Sequence, residues 1–97
     1  MKKSTAPSML TRLVASPRQI SCAVGDEAVL LNIDDGEYYS LNPVAATVWR
    51  LLEQPATLET VRNELLAQYA GISTEDCERE IVELVGQLIA LGMVESV

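Results

Sequence analysis

Around Asn42 the chain changes its hydrophobic period from two to 3.6 with no linker, and this junction constrains the fold more than any other stretch. The segment reads DDGEYYSLNPVAATVW, Asp34 to Trp49. Tyr39 and Leu41 alternate with Tyr38 and Ser40, the pattern of a strand covered on one face. Asn42 is a good N-cap, and Pro43 suits the first helical turn, where its missing N–H has no partner to lose. Upstream, Asp35-Gly36 is a strong hairpin signal, because a tight turn needs positive φ at its central positions. The strand from Glu37 to Leu41 carries two tyrosines and no nearby catalytic group. We read it as a strand kept free to pair with another peptide.

Two further strands precede it. QISCAV, from Gln19, has a β-branched bias, and VGDE turns the chain into AVLLNI. There Val29, Leu31 and Ile33 share one face and Ala28, Leu30 and Asn32 the other. Helical spacing then takes over. Val44, Val48, Leu51 and Leu52 form the stripe of the first helix, with Trp49 at its margin and Gln54-Pro55 ending it. Leu58, Val61, Leu65 and Tyr69 mark a second helix from about Thr57 to Ala70, with Gly71 as its C-terminal cap. Ser73, with Asp76 three residues on, starts a third that runs to about Leu91 and stops at Gly92. MVESV adds a short last strand or frays. Strands followed by helices predict an α+β domain: a three-stranded antiparallel sheet, then three helices packed on one face.

Composition narrows the function. The chain has 97 residues, enough for one domain, and 48% of them are hydrophobic, which supplies a core. Seven Lys and Arg against 14 Asp and Glu give a net charge of −7, and the cations are scattered. A nucleic-acid backbone therefore has no basic patch to bind. The chain has no histidine, which removes the commonest general base and metal ligand. Asp34, Asp35 and Glu37 cluster near the turn, but turn chemistry accounts for the Asp pair, so no metal and no cofactor are expected. Cys22 and Cys77 lack CxxC spacing and read as buried free thiols. Arg12 interrupts the only apolar run near the N-terminus, and no stretch nears the roughly 18 apolar residues of a membrane span. A cytoplasmic protein is expected, with residues 1–17 a flexible arm and 18–97 the domain.

The third helix carries more apolar surface than docking alone needs. Cys77, Ile81, Leu84, Leu88 and Leu91 fall on one stripe. Val82, Val85 and Ile89, with Glu78 at the edge, form a second stripe beside it. Together they widen the apolar arc to roughly 180°, against about 100° for an ordinary surface helix. The second stripe either packs on the sheet or lines one wall of a groove. An apolar wall beside an unpaired strand edge invites aggregation, so its presence suggests a partner. Tyr39 is assigned to the core or the groove floor and Tyr38 to the surface.

The run VLLNIDDGEYYSLNPVAATVWRLL, followed by TLETVRNELLAQYAG and a long last helix, resembles the PqqD-like proteins. These include the pyrroloquinoline-quinone biosynthesis protein D and the stand-alone leader-binding proteins of lasso-peptide pathways, which the chain resembles more. The resemblance covers about residues 18–95. It implies a winged-helix-like fold that binds the leader segment of a ribosomally made precursor peptide and does no chemistry itself. The leader would add as a strand beside the third strand, in the groove next to the last helix. Carried over, the docking strand is Glu37, Tyr38, Tyr39, Ser40 and Leu41, and the wall is Glu78, Val82, Val85 and Ile89. The implied partners are the precursor leader and a leader peptidase or other modifying enzyme, with no nucleic acid and no membrane. The alternatives are a protein–protein adaptor subunit or an acidic winged-helix regulator of DNA. Glu78, Glu80 and Glu83 beside a lone Arg79 count against the last.

Overall fold

The structure is a computed structural model and describes residues 7–97. Its first hairpin joins β2 (Gln19–Val24) to β3 (Glu27–Asn32). Gly25, at φ +65°, takes the first position of a two-residue turn, a conformation that favours glycine. The second hairpin joins β3 to β4 (Tyr38–Leu41) through a five-residue connection, Ile33 to Glu37. Only Gly36 there has positive φ, at +72°, and its N–H closes on the Asn32 carbonyl at 2.8 Å. Asp35 keeps negative φ. It acts instead through its carboxylate, which accepts from the Glu37 N–H at 2.8 Å. The expected turn is thus in place, with one left-handed position rather than two.

These strands form one antiparallel sheet in the order β2–β3–β4. Its inner face presents Ala28, Leu30, Asn32 and Leu41, all buried, with Tyr39 packed against the core. Of the two β3 faces, the one bearing Leu30 is therefore the covered one. Helix α1 (Pro43–Leu51) lies on it. The Asn42 side chain caps α1 by accepting from the Ala45 N–H at 2.9 Å. Val48 and Leu52 of the expected stripe are buried, but Val44 is exposed and Trp49, expected at the margin, is buried. The reason is that α1 packs against both the sheet and α2 (Leu58–Gln68), so its covered face turns toward Ala45, Ala46, Val48 and Trp49. Thr57 caps α2 through its hydroxyl, and Ser73 does the same for α3 (Thr74–Ala90) by accepting from the Asp76 N–H at 3.1 Å. Cys77, Ile81, Val85 and Leu88 bury the inner face of α3.

A second sheet corrects the reading of the N-terminal arm. Arg12–Ala15 form strand β1, which pairs with β5 (Ala56–Thr57) on one side and β6 (Val94–Ser96) on the other. Leu13 on β1 is fully buried in the same core as Leu52, Met93 and Val94. Ala15 and Ser16 donate to the carbonyls of Leu52 and Met93 at 2.7 and 2.8 Å. The arm expected through residue 17 is thus fixed from Arg12 onward, because its backbone closes the far ends of α1 and α3. Residues 1–6 of that expectation lie outside the described residues. The last residues form β6 rather than fraying. Among the described residues the architecture is α+β, with two three-stranded antiparallel sheets and three helices.

Candidate functional site: an open strand edge beside a helical groove

β4 is an edge strand, and the phase of its ladder fixes which groups it leaves open. Asn32 N–H donates to Glu37 C=O at 3.0 Å. Hydrogen-bonded pairs alternate along an antiparallel ladder. Leu30/Tyr39 and Ala28/Leu41 therefore bond across it, and Leu31/Tyr38 and Val29/Ser40 do not. The backbone N–H and C=O groups of Tyr38 and Ser40 point away from β3. Among the described residues no other element accepts or donates to them. Four polar groups thus stand in a row along the open edge, a template for an added strand. The side chains follow the other alternation. Tyr39 and Leu41 point inward, and Tyr38, 72% exposed, points to the outer face with Ser40. Burial pushes the Tyr39 phenol above its ordinary value, helped by the carboxylates of Asp35 and Glu37. It stays a neutral hydrogen-bond donor at pH 7.

Where Asn42 passes the chain from β4 to α1, a depression of about 420 Å³ opens between α1 and α3. Val44, Ala45 and Val48 line one side, and Ile81 and Leu84 the other, with Leu65 and Ile72 also on its walls. Glu80, Glu83, Gln87 and Asn42 supply its polar atoms. The space suits an apolar side chain of a peptide whose backbone stays at the rim.

The structure brings together Glu37, Tyr38, Tyr39, Ser40 and Leu41 as the open strand and its lead-in. None of the expected wall residues, Glu78, Val82, Val85 and Ile89, lines that depression. Val85 is 0% exposed, in the centre of the buried face of α3, and offers no surface to a peptide. Glu78 is bonded to Arg62 of α2 at 2.5 Å, which ties the two helices together. Val82 and Glu78 line a different depression, with Met9, Glu75, Arg79 and Glu83. Ile89 is half-buried against the core. On a helix with Cys77, Ile81, Val85 and Leu88 facing inward, the Val82/Ile89 flank lies on the opposite side from the Glu80/Leu84/Gln87 flank. Only the second flank shares a depression with Asn42. The sequence signal for it is Leu84, which helical spacing alone assigns to the docking stripe.

Two of the carboxylates near the turn, those of Asp34 and Asp35, are engaged. The Arg18 guanidinium bonds both oxygens of Asp34 and holds its carboxyl below the usual aspartate range. Among the described residues no three His, Cys, Asp or Glu side chains converge as a metal site, and no helix is long and apolar enough to cross a membrane. Cys77 is buried, and this burial raises its thiol pKa. Cys22 is exposed on β2, contrary to the expectation of two buried thiols, because its side chain points to the uncovered face of the sheet.

Comparison with known proteins gives the family. The sequence profile of coenzyme PQQ synthesis protein D (PqqD) matches residues 27–94, well over half of the chain. No match is found among curated proteins. One similar solved structure is TbiB1 in complex with the TbiA(beta) leader peptide, at 27% identity and a TM-score of 0.78. That match covers 84% of this chain and 94% of TbiB1. Another is a lasso peptide synthetase B1 complexed with the leader peptide, at 29% identity and a TM-score of 0.75. It covers 86% of this chain and 96% of that one. By sequence profile and by fold, the chain belongs to the PqqD family.

Proposed function

We propose that this chain binds the leader segment of a ribosomally made precursor, of the lasso-peptide type, and presents it to a processing enzyme without catalysing a step itself. The observation that carries this reading is the row of four unpaired backbone groups on Tyr38 and Ser40, next to an apolar depression, in a chain similar to two leader-peptide complexes. The leader adds as a strand along β4, and its backbone bonds give affinity largely independent of side chains. Side-chain selection falls to the depression between α1 and α3. Its wall is the Glu80, Leu84 and Gln87 flank of α3, in place of Glu78, Val82, Val85 and Ile89. The partners are the leader and a leader peptidase or other modifying enzyme of the same pathway.

Fluorescence anisotropy of a labelled leader from the associated precursor tests this reading. Leu84→Glu puts a charge on the groove wall and is expected to weaken binding at least tenfold, while Val82→Glu changes it less than threefold. Equal affinity for Leu84→Glu and the unaltered chain, both folded, would refute the groove assignment. No saturable binding by the unaltered chain would refute the function.

A further inference from the structure

The face of the β2–β3–β4 sheet that points away from the helices is mostly apolar, with Glu27 and Ser40 its polar members, and nothing in the chain's described residues covers it. The register places Ile20 opposite Leu31, Cys22 opposite Val29, and Leu31 opposite Tyr38. Ile20 is 54% exposed, Val24 58%, and Cys22 is open to solvent. An antiparallel sheet with one wet face ordinarily puts polar side chains there. A contiguous apolar patch on such a face marks a contact surface.

Charge indicates what covers it. The segment 18–41 holds five carboxylates, Asp26, Glu27, Asp34, Asp35 and Glu37, against one cation, Arg18. Asp26 and Glu27 sit at one end of the sheet and Asp34 and Asp35 at the other. Arg18 is already committed to Asp34. The patch is therefore apolar in the middle and anionic at both ends. A second copy would bring carboxylates against carboxylates, and an anionic lipid surface or a nucleic acid would be repelled likewise. A protein surface with an apolar centre flanked by lysine or arginine fits.

This face is also continuous with the open edge. Tyr38 contributes its backbone groups to the edge and its side chain to the outer face. In a strand added along β4, every second side chain lands on that same outer face. We propose that the outer face of this sheet docks the enzyme that processes the bound peptide, through a cation-flanked apolar surface on the enzyme. The enzyme then contacts sheet and peptide together, and each binds more tightly in the presence of the other. The proposal rests on the leader-binding reading above.

The test pairs two titrations of the full chain bearing Ile20→Lys and Val24→Lys, residues away from the peptide groove. Labelled leader is expected to bind this variant within twofold of the unaltered chain. The leader peptidase of the pathway, followed by biolayer interferometry, is expected to bind it at least tenfold more weakly. The association rate of the unaltered chain with the peptidase should also fall as salt rises from about 50 to 500 mM. Peptidase affinity equal for variant and unaltered chain overturns the proposal. So does a dimer in light scattering that the substitutions dissolve, since a second copy then occupies the face. If the lysine pair does not fold, Ile20→Thr with Val24→Thr keeps the β-branched backbone preference and is held to the same criteria. Failure of the unaltered chain to bind leader while still binding peptidase through this face would refute the leader reading and leave the docking face standing.

Discussion

Proline at position 40 separates peptide pairing from folding, because the ladder phase makes neighbouring residues behave oppositely. The Ser40 N–H points away from β3, so Ser40→Pro removes no bond from the sheet. Proline is accepted on edge strands where the N–H faces solvent. Stability is expected to stay within about 1 kcal/mol of the unaltered chain. For an added strand the loss is direct. One edge bond contributes about 0.5–1.5 kcal/mol net, and the ring displaces the incoming carbonyl, which costs a neighbouring bond as well. Two bonds amount to roughly 1–3 kcal/mol, or about 5- to 150-fold in Kd. Tyr39→Pro does the reverse. The Tyr39 N–H belongs to the ladder with Leu30, a fully buried residue. Orphaning that carbonyl costs about 1–3 kcal/mol before any loss of Tyr39 packing. The assay is urea unfolding followed by the fluorescence of Trp49, the only tryptophan, alongside leader anisotropy. If Ser40→Pro binds leader as tightly as the unaltered chain, or if it unfolds the domain while Tyr39→Pro does not, the edge assignment is wrong.

Three other outcomes follow from the same structure. Leu13→Ala should lower stability by about 2–5 kcal/mol in urea titration, because the side chain is fully buried; a change under about 0.5 kcal/mol would return β1 to the status of a loose arm. With a maleimide reagent at neutral pH, Cys22 should label within minutes and Cys77 only on unfolding, since burial both shields the Cys77 thiol and raises its pKa. Asp34 and Asp76 have folded-state pKa values lowered chiefly by hydrogen bonds from Arg18 and Arg79. Their contribution is fully present above the ordinary aspartate value of about 3.9 and is lost as pH falls through the lower folded values. Asp34→Asn should accordingly flatten the acid end of the stability profile, and an unchanged profile would contradict the pairing.

Much of the fold was legible because local signals and packing agree. Asn42-Pro43 sets the start of α1, Ser73 that of α3, and Gly25 and Gly36 the two turns, each through chemistry confined to a few residues. β1 was not legible. Its four residues bury one leucine, and its partners β5 and β6 lie more than 40 residues away, so no local period announces it. The strand at Tyr38 to Leu41 was legible from its alternation and the Asp35-Gly36 turn before it. The Glu80, Leu84 and Gln87 flank proposed as the groove wall is not singled out by periodicity, for a different reason. Periodicity shows that α3 has two apolar flanks, but which of them faces the end of β4 depends on how the helix is rolled in the tertiary packing. Arg62, which holds Glu78 from α2, and Val85, which fills the core, decide that roll. Neither is visible as a pattern in the sequence of α3.

Strand addition makes a residue-specific claim about backbone amides, and hydrogen exchange reads it directly. Two-dimensional NMR of the 15N-labelled chain should show the Tyr38 and Ser40 amides exchanging quickly alone and slowing at least tenfold with saturating leader. The Tyr39 amide, already bonded in the ladder, should change little. Saturating peptide that leaves Tyr38 and Ser40 unprotected, or that protects the Gln19–Val24 edge instead, would contradict the account.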